Sequence, residues 1–289
     1  MTDGLDRYPL GDRLVNRVGY GAMQLTGPGV FGPPPDRADA ITLLRAAIDL
    51  GVDHIDTAQY YGPDVVNDLI REALHPYPEG LAIVSKVAVR RGRRGEILPY
   101  DEPAALRTGI EDNLRSLRTN RLAAVNLRMP DPTAMPDARF DDQLAAMITA
   151  RDDGLIEGIG LSNVSRAQLE HALALTDIVT VQNSYSLGER GSRDVLELTT
   201  ERGISFAPYL PLGWPAAVRR ETLGQSVVLD ISERSGGTAV QVALSWLLAI
   251  APNVLLIPGT RSIQHLRDNL AAADLVLTTE DRDALSALA

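Results

Sequence analysis

Four side chains that could take part in acid catalysis stand where short apolar runs of the sequence end. Asp56, Lys86 and Arg128 each close such a run, and Tyr61 follows Asp56 by five residues. A tyrosine phenol has an ordinary pKa of about 10, and we expect the Lys86 ammonium to lower that pKa while Asp56 keeps the ammonium charged. A phenol adjusted in this way can protonate a carbonyl oxygen while a hydride adds to the carbonyl carbon. Because no side chain can supply a hydride, this chemistry needs a redox cofactor.

Each of these residues also has a purely structural interpretation. Asp56 precedes Thr57 and could cap a helical turn, and Tyr61 could be a half-buried aromatic in a loop. Lys86 is harder to explain structurally, because a Lys at the end of an apolar run needs a partner when it is buried. Asp56 is the obvious partner, so the residues indicate a site if the fold brings the ends of these runs together.

The order of the predicted elements would bring those ends together. Short apolar runs of strand length alternate along the chain with longer segments of helical period. The predicted strands are 17–20, 54–56, 81–86, 123–127, 159–161, 178–182, 205–208 and 254–257. The predicted helices are 38–50, 65–74, 104–117, 141–151, 166–175, 194–202, 227–234, 240–251, 263–272 and 279–288. This alternation predicts an α/β protein, a closed (β/α)₈ TIM barrel that forms a single domain over residues 1–289, with an extra C-terminal helix capped by Thr278 or Thr279.

The main alternative fold is a doubly wound dinucleotide-binding sheet. Its phosphate loop would follow the first strand as Gly-x-Gly-x-x-Gly and lead directly into a helix. Residues 19–24 lack the third glycine and continue into the Pro-rich stretch 27–35, where a helix cannot begin early. The barrel is therefore favoured. Its active site would lie at the carboxyl ends of the strands, where the loops 87–103, 129–139 and 211–215 stand out.

Composition excludes several classes of function. The 28 Lys and Arg against 38 Asp and Glu give a net charge of −10, which argues against a nucleic-acid binder. We therefore interpret the basic run 90–95 as a solvated loop or as a cationic rim that steers an anionic cofactor. The chain has no Cys, and its four His lack the spacing of metal ligands, so we expect neither a disulfide nor a metal site.

The same composition indicates a protein without a membrane segment. No apolar run approaches the ~18 residues of a membrane span, and residues 1–10 lack the apolar core of a signal peptide. We expect a cytoplasmic protein, a monomer or a small homo-oligomer, whose partner is a small carbonyl compound.

The segments around the candidate residues resemble the aldo-keto reductase family over nearly the whole chain. Residues 51–62, which include Asp56 and Tyr61, are similar to the signature of the family's second strand. Lys86 stands where the family has its catalytic Lys. The resemblance continues at 160–163, 182–183, 209–213 and 257–261.

This resemblance implies a role for each group. Asp56, Tyr61 and Lys86 would be catalytic, with Tyr61 as the general acid, and the cofactor would be NADPH or NADP⁺. The residues that would bind the cofactor are Ser162, Asn163, Gln182, Tyr209, Pro211, Leu212, Gly213, Gly259, Thr260, Arg261, His265, Asp268 and Asn269. The nicotinamide carboxamide would lie against Ser162, Asn163 and Gln182, with Tyr209 stacked on the ring. Residues 259 and 260 precede a helix whose free amides favour a phosphate, and the fixed cation of Arg261 favours NADPH over NADH.

Arg128 departs from the family's usual pattern, which has His at this position. Arg also donates hydrogen bonds but stays charged. It could therefore depress the Tyr61 pKa, hold an anionic or phenolic group of the substrate, or pair structurally with Asp131. The segments 19–34 and 125–128 resemble the bacterial pyridoxal reductase branch of the family, which implies reduction of pyridoxal to pyridoxine.

Besides a reductase of pyridoxal, or of other aldehydes and ketones, the sequence leaves two other functions open. One is a regulatory module that holds the cofactor with little turnover, similar to the potassium-channel β subunits of the same superfamily. The other is a barrel isomerase, which would need a carboxylate base and would not bind NADPH. Rapid multiple turnover distinguishes the reductase from the regulatory module.

Overall fold

The computed structural model describes residues 7–288 of the chain. The predictions for residues 1–6 and 289, including the part of the signal-peptide analysis that concerns residues 1–6, lie outside the described residues. The strands are β1 Arg7–Leu10, β2 Arg13–Asn16, β3 Tyr20–Gly21, β4 His54–Asp56, β5 Ala82–Arg91, β6 Ile97–Tyr100, β7 Leu122–Arg128, β8 Ile156–Ser162, β9 Thr180–Gln182 and β10 Ser205–Phe206.

A curled parallel sheet positions the site. Its strands are hydrogen-bonded in the order β10-β9-β8-β7-β5-β4-β3. Parallel bridges between Val18 and Leu256 and between Phe206 and Val254 close the remaining gap. The predicted eighth strand, 254–257, is therefore present only as two bridges. The predicted (β/α)₈ barrel is confirmed.

Helices follow the strands and cover the outside of the barrel. They are α1 Arg37–Asp49, α2 Val65–Leu74, α3 Pro103–Leu117, α4 Ala138–Asp152, α5 Arg166–Leu175, α6 Arg193–Arg202, α7 Ala216–Leu223, α8 Ser226–Ser235, α9 Ala239–Ile250, α10 Ile263–Leu270 and α11 Thr279–Ser286. The C-terminal helix α11 begins as predicted, because the Thr278 hydroxyl accepts from the backbone amide of Asp281 and the Asp281 carboxylate accepts from that of Thr278. None of the described helices is long and apolar enough to cross a membrane.

Three elements differ from the sequence prediction. An antiparallel hairpin, β1–β2, precedes the barrel, and its Leu10 and Val15 pack with Ala82 and Leu255 of the barrel. The predicted loop 87–103 is largely a second hairpin, because β5 continues past the barrel and pairs with β6. Helix α7 forms in the segment after the Pro-rich loop 211–215. These elements are too short to show a clear hydrophobic period in the sequence. Packing against the barrel therefore determines whether they form.

Candidate active site

The predicted catalytic residues meet at one rim of the barrel because neighbouring strands are parallel and in register. Lys86 on β5 pairs with Asn126 on β7, and two residues later Arg128 pairs with Ser162 on β8. Ser162 in turn pairs with Gln182 on β9. The carboxyl ends of β5, β7, β8 and β9 therefore present these side chains side by side, as expected for a barrel active site.

Asp56 and Lys86 form a buried ion pair at this rim. Lys86 Nζ lies 2.5 Å from Asp56 Oδ1 and 3.0 Å from the carbonyl oxygen of Thr57. The second carboxylate oxygen, Oδ2, accepts a hydrogen bond of 2.9 Å from Gln182 Nε2. Both charged side chains are 5% exposed, and a buried charge in this setting requires such pairing. The predicted partnership of Lys86 with Asp56 is confirmed, and the carboxylate has a further donor that the sequence did not indicate.

Tyr61 stands beside this pair in the turn that follows β4. The Lys86 ammonium lies 5.1 Å from the centroid of the Tyr61 ring, within the range of a cation–π contact. Gly62 has a φ of +93°, and a Cβ there would lie 2.6 Å from the Val65 Cβ. Only glycine fits both the backbone angle and the space, so the turn that orients Tyr61 depends on Gly62.

The electrostatic state of Tyr61 differs from the sequence expectation. Burial raises the pKa of Tyr61 above its ordinary value, the Asp56 carboxylate raises it further, and Arg128 and Arg91 lower it only in part. The expectation that Lys86 produces a net lowering is wrong for this arrangement, because burial of the phenol outweighs the effect of the cations around it. The Tyr61 phenol therefore stays protonated at neutral pH, which is the form a proton donor needs.

Within residues 7–288 Arg128 has no carboxylate partner, and its charge acts on the phenols of Tyr60, Tyr61 and Tyr209. Among residues 7–288, the ion pair with Asp131 that the sequence allowed does not form, since Asp131 Oδ1 accepts from the amide and hydroxyl of Thr133 at 2.8 and 2.7 Å. Burial raises the pKa of Tyr209, and the charge and hydrogen bond of Arg128 lower it. Arg128 is thus a half-buried guanidinium whose charge reaches all three of these phenols.

A buried polar network behind the rim holds the two catalytic strand ends. Asn113 Oδ1 on α3 accepts from Ser85 Oγ at 2.6 Å and from Asn67 Nδ2 at 3.0 Å. Asn67 Oδ1 on α2 accepts from Thr57 Oγ1 at 2.8 Å. Because Ser85 precedes Lys86 and Thr57 follows Asp56, this network fixes the backbone on each side of the ion pair. Sequence reasoning missed both asparagines, although a polar residue on the apolar stripe of a helix is a usable signal.

Replacing Asn113 with Leu is expected to lower the free energy of unfolding by about 2–5 kcal/mol, because two buried polar groups lose their partner at ~1–3 kcal/mol each. Urea denaturation measures this loss. The matched control is Asn120→Leu, since Asn120 is exposed in the turn after α3, and its change should stay within about 0.5 kcal/mol. Equal effects of the two substitutions would contradict a structural role for the network.

The residues expected to bind the nicotinamide end of the cofactor carry hydrogen-bonding groups that suit a carboxamide. Ser162, Asn163 and Gln182 are buried at adjacent strand ends. Asn163 is held in place, since its Nδ2 donates to the Met129 carbonyl at 2.9 Å and its Oδ1 accepts from the Tyr209 hydroxyl at 2.8 Å. Within the described chain, the Ser162 hydroxyl and Gln182 Oε1 have no hydrogen-bond partner and so can serve a ligand amide. The Tyr209 ring follows at the end of β10, as predicted.

The residues expected at the phosphate end lie together around the start of α10. Gly259 and Arg261 are exposed, and Thr260 is fixed by the Tyr20 hydroxyl, which donates to its carbonyl oxygen at 2.7 Å. Ser262 caps the helix by accepting from the His265 amide. The exposed Arg261 cation at a helix N-terminus matches the chemistry of a phosphate. Of the other predicted residues, Asp268 accepts from the Gln264 side chain and Asn269 is buried.

The loop after β10 carries the last three predicted contacts, Pro211, Leu212 and Gly213, all half-buried beyond Tyr209. A chain reversal is visible at Gly213, whose φ is +88° and whose amide donates to the Leu210 carbonyl at 2.8 Å. The structure brings this loop to the same rim as the catalytic residues, since Tyr209 reaches Asn163.

A parallel barrel with a Tyr beside a buried Lys–Asp pair, and with a row of buried polar side chains at adjacent strand ends, is typical of a class of barrel oxidoreductases. The sequence profile of the Aldo/keto reductase family matches residues 17–289. The pyridoxine 4-dehydrogenase of Escherichia coli K12 is 46% identical over 275 residues, which cover 94% of each chain. The chain belongs to the aldo/keto reductase family, which confirms the predicted family and enzyme class.

Solved structures agree with this assignment. An aldo-keto reductase from Klebsiella pneumoniae in complex with NADPH superimposes with a TM-score of 0.82 at 26% identity, covering 99% of this chain and 95% of that chain. A thermostable aldo-keto reductase in complex with the inhibitor epalrestat gives a TM-score of 0.81 at 30% identity, covering 98% and 99% of the two chains.

Proposed function

We propose that this protein uses NADPH to reduce an aldehyde to an alcohol, with pyridoxal as the favoured substrate and pyridoxine as the product. The observation that carries the reductase chemistry is the position of the Tyr61 ring, whose centroid lies 5.1 Å from Lys86 Nζ in the buried Lys86–Asp56 pair. The choice of pyridoxal is supported by the 46% identity to the pyridoxine 4-dehydrogenase. We further propose that the whole chain, residues 1–289, acts as one domain.

In this reaction the chain supplies the proton and the positioning. Bound NADPH supplies the hydride. Tyr61 donates its phenolic proton to the substrate oxygen, because the developing alkoxide is a stronger base than a phenolate. Lys86 stabilises the resulting phenolate through its fixed charge, and Asp56 keeps Lys86 oriented. Arg128 donates hydrogen bonds to the oxygens of the substrate, and the phenolic oxygen of pyridoxal suits a fixed cation.

The cofactor would be held by the residues predicted from the sequence. Ser162, Asn163 and Gln182 would bind the nicotinamide carboxamide, and Tyr209 would cover the ring. Because Gln182 also donates to Asp56, we infer that cofactor binding and the orientation of the catalytic pair are coupled. Pro211 to Gly213 and Gly259 to Arg261, with His265, Asp268 and Asn269, would hold the rest of the molecule.

The experiment that tests this proposal follows the loss of NADPH absorbance with pyridoxal and with a panel of aldehydes, ketones and quinones. Pyridoxal turnover well above the panel supports the full proposal. Turnover of other carbonyls alone keeps the chemistry and discards pyridoxal. Tight NADPH binding without turnover of any compound would favour a regulatory module instead, and no NADPH binding would favour the isomerase.

Replacing Arg128 with Ala is expected to lower kcat/KM for pyridoxal by about 10- to 100-fold, because hydrogen bonds to charged groups contribute about 1.5–3 kcal/mol. Stability should change far less, since the residue is half-buried and has no ion pair among the described residues.

The pH dependence of the reaction gives a second readout for Arg128→Ala. Arg128 lowers the pKa of Tyr61, and the reverse reaction, alcohol oxidation, needs the phenolate. The oxidation profile should therefore move to higher pH in the variant.

Two control variants accompany this test. Arg128→Lys retains the charge and should keep the wild-type pH profile. Arg121→Ala removes an exposed cation just before β7, at the opposite end of that strand, and should leave kcat/KM unchanged. An unchanged kcat/KM in folded Arg128→Ala protein would show that Arg128 does not act on the substrate.

A further inference from the structure

The hairpin β5–β6 carries a second arginine to the rim of the active site. Strand β5 pairs with β7 as far as Val87, and from Ala88 onward it pairs with β6 instead. Ala88 has a φ of +87°, a backbone region that non-glycine residues rarely adopt. The strand thus turns away from the barrel at Ala88, just beyond Lys86, and Arg91 follows three residues later, where its charge reaches Tyr61.

Contacts at the tip of the hairpin join Arg91 to the segment that holds Tyr61. Arg91 Nη1 donates to the Gly95 carbonyl at 2.7 Å. Gly95 lies against Phe31, since a Cβ there would be 3.1 Å from the Phe31 Cγ. Phe31 forms a parallel bridge with Gly62, the residue after Tyr61. Arg91, Gly95, Phe31 and Gly62 are therefore consecutive parts of one wall next to the catalytic phenol.

The Arg91 guanidinium has unused donors in this wall. Its Nε is buried without a hydrogen-bond partner, although a guanidinium has five N–H donors and a buried donor left unpaired is costly. Neither Arg91 nor Arg128 has an ion pair within residues 7–288. The nearby carboxylate of Glu96 is committed to the hairpin turn, where its Oε2 accepts from the Arg94 amide at 2.9 Å.

The guanidiniums of Arg91 and Arg128 have no counter-charge among residues 7–288, and together they favour the binding of an anion. This local positive charge contrasts with the net charge of −10 of the whole protein. Both guanidiniums also lower the pKa of Tyr61, against the larger effect of burial, which is consistent with their facing the same phenol. The arrangement differs from the exposed arginines of the helices, such as Arg166, which pair with a carboxylate on the next turn.

Building on the proposed reductase function, we propose that Arg91 is a specificity-determining residue that selects carbonyl substrates carrying a negatively charged oxygen, as carboxylate, phosphate or phenolate. Arg91 binds this anionic group across the cleft from Arg128, while the carbonyl lies at Tyr61. The basic run 90–95 is then neither a simple solvated loop nor only a cationic rim, because one of its members belongs to the substrate site.

The test compares two aldehydes that differ in one charge, para-carboxybenzaldehyde and its methyl ester. In Arg91→Met we expect KM for the carboxylate to rise about tenfold or more, because a charge-assisted hydrogen bond contributes about 1.5–3 kcal/mol and each 1.4 kcal/mol is tenfold. KM for the ester should change less than about twofold. Arg91→Lys keeps the charge, so its KM for the carboxylate should rise less than that of Arg91→Met. This second variant keeps the proposal testable if Arg91→Met fails to fold.

Arg93→Met is the matched control, because Arg93 is an exposed cation of the same hairpin and its removal changes the net charge equally. Its two KM values should both stay near those of the wild type. Equal changes for carboxylate and ester in Arg91→Met, or equal effects of Arg91→Met and Arg93→Met, would overturn the subsite.

Calorimetric titration of each protein with the same two aldehydes separates this proposal from the reductase function. A wild type that binds the carboxylate more tightly through Arg91 but reduces neither these aldehydes nor pyridoxal keeps the subsite and overturns the proposed function. A wild type that reduces both aldehydes but binds them equally keeps the proposed function and overturns the subsite.

Discussion

Replacing Tyr61 with Phe is expected to reduce kcat for carbonyl reduction by about 100- to 10,000-fold, the contribution typical of a general acid. The substitution removes only the hydroxyl of a side chain that is 7% exposed, so the turn after β4 and the core around the ring are retained. Binding of NADPH should stay within about twofold of the wild type, because the binding residues lie on other strands. Single-turnover kinetics and a fluorescence titration of NADPH measure the two quantities.

Tyr60 provides the matched control for this substitution. Its ring lies 5.3 Å from that of Tyr61 in an edge-to-face arrangement, and it is also buried. Burial raises the pKa of Tyr60 as well, so both phenols are protonated and only their positions differ. Tyr60→Phe should retain activity close to that of the wild type. Loss of activity in Tyr60→Phe with retention in Tyr61→Phe would assign the proton donor to Tyr60 and overturn the mechanism.

The second large effect is expected from Asp56→Asn, which should lower both stability and activity. The substitution leaves the Lys86 ammonium, 5% exposed, without its counter-charge. Breaking a buried ion pair in this way costs about 3–5 kcal/mol of unfolding free energy. Activity should fall as well, because Lys86 loses the partner that orients it beside Tyr61. Urea denaturation and steady-state kinetics on the same preparations measure both effects.

The double variant Asp56→Asn with Lys86→Met separates stability from catalysis. Removing both charges also removes the unpaired buried ion, so most of the lost stability should return, whereas activity should not. The control is Glu170→Gln, which breaks the exposed pair with Arg166 at 2.8 Å and should cost less than about 1 kcal/mol. An active double variant, or an Asp56→Asn variant as stable as Glu170→Gln, would contradict the role of the pair.

The residues that we propose as catalytic could be predicted from the sequence because parallel strands end at one rim. Once Asp56 and Lys86 were placed at the ends of neighbouring strands, their proximity followed from the barrel and their pairing from the cost of burying a lone charge. The hydrogen bond from Gln182 to Asp56 joins residues 126 positions apart, and it depends on side-chain reach across the rim. No local pattern could indicate it.

Electrostatics and irregular elements were harder to predict. The net pKa of Tyr61 follows from the balance between burial and the surrounding charges, and only packing fixes how deeply the phenol is buried. The basic run 90–95 looked like a solvated loop because Arg and Gly dominate its composition, whereas its hairpin pairing arises from β5 continuing past the barrel. The hydrogen-bond partners of Asn113 and Asn67 depend on the register of α2 and α3 against the strands, which the sequence does not give.

The sequence by itself determined the alternation of strands and helices, the barrel, the family and the identity of Asp56, Tyr61 and Lys86. These follow from apolar periodicity and from short motifs, which are local properties of the chain. Only the tertiary structure decided that Arg128 has no ion pair with Asp131, that Gln182 holds Asp56, and that Arg91 reaches the wall beside Tyr61. These facts depend on distances between segments far apart in sequence, and such distances are set by packing of the whole barrel.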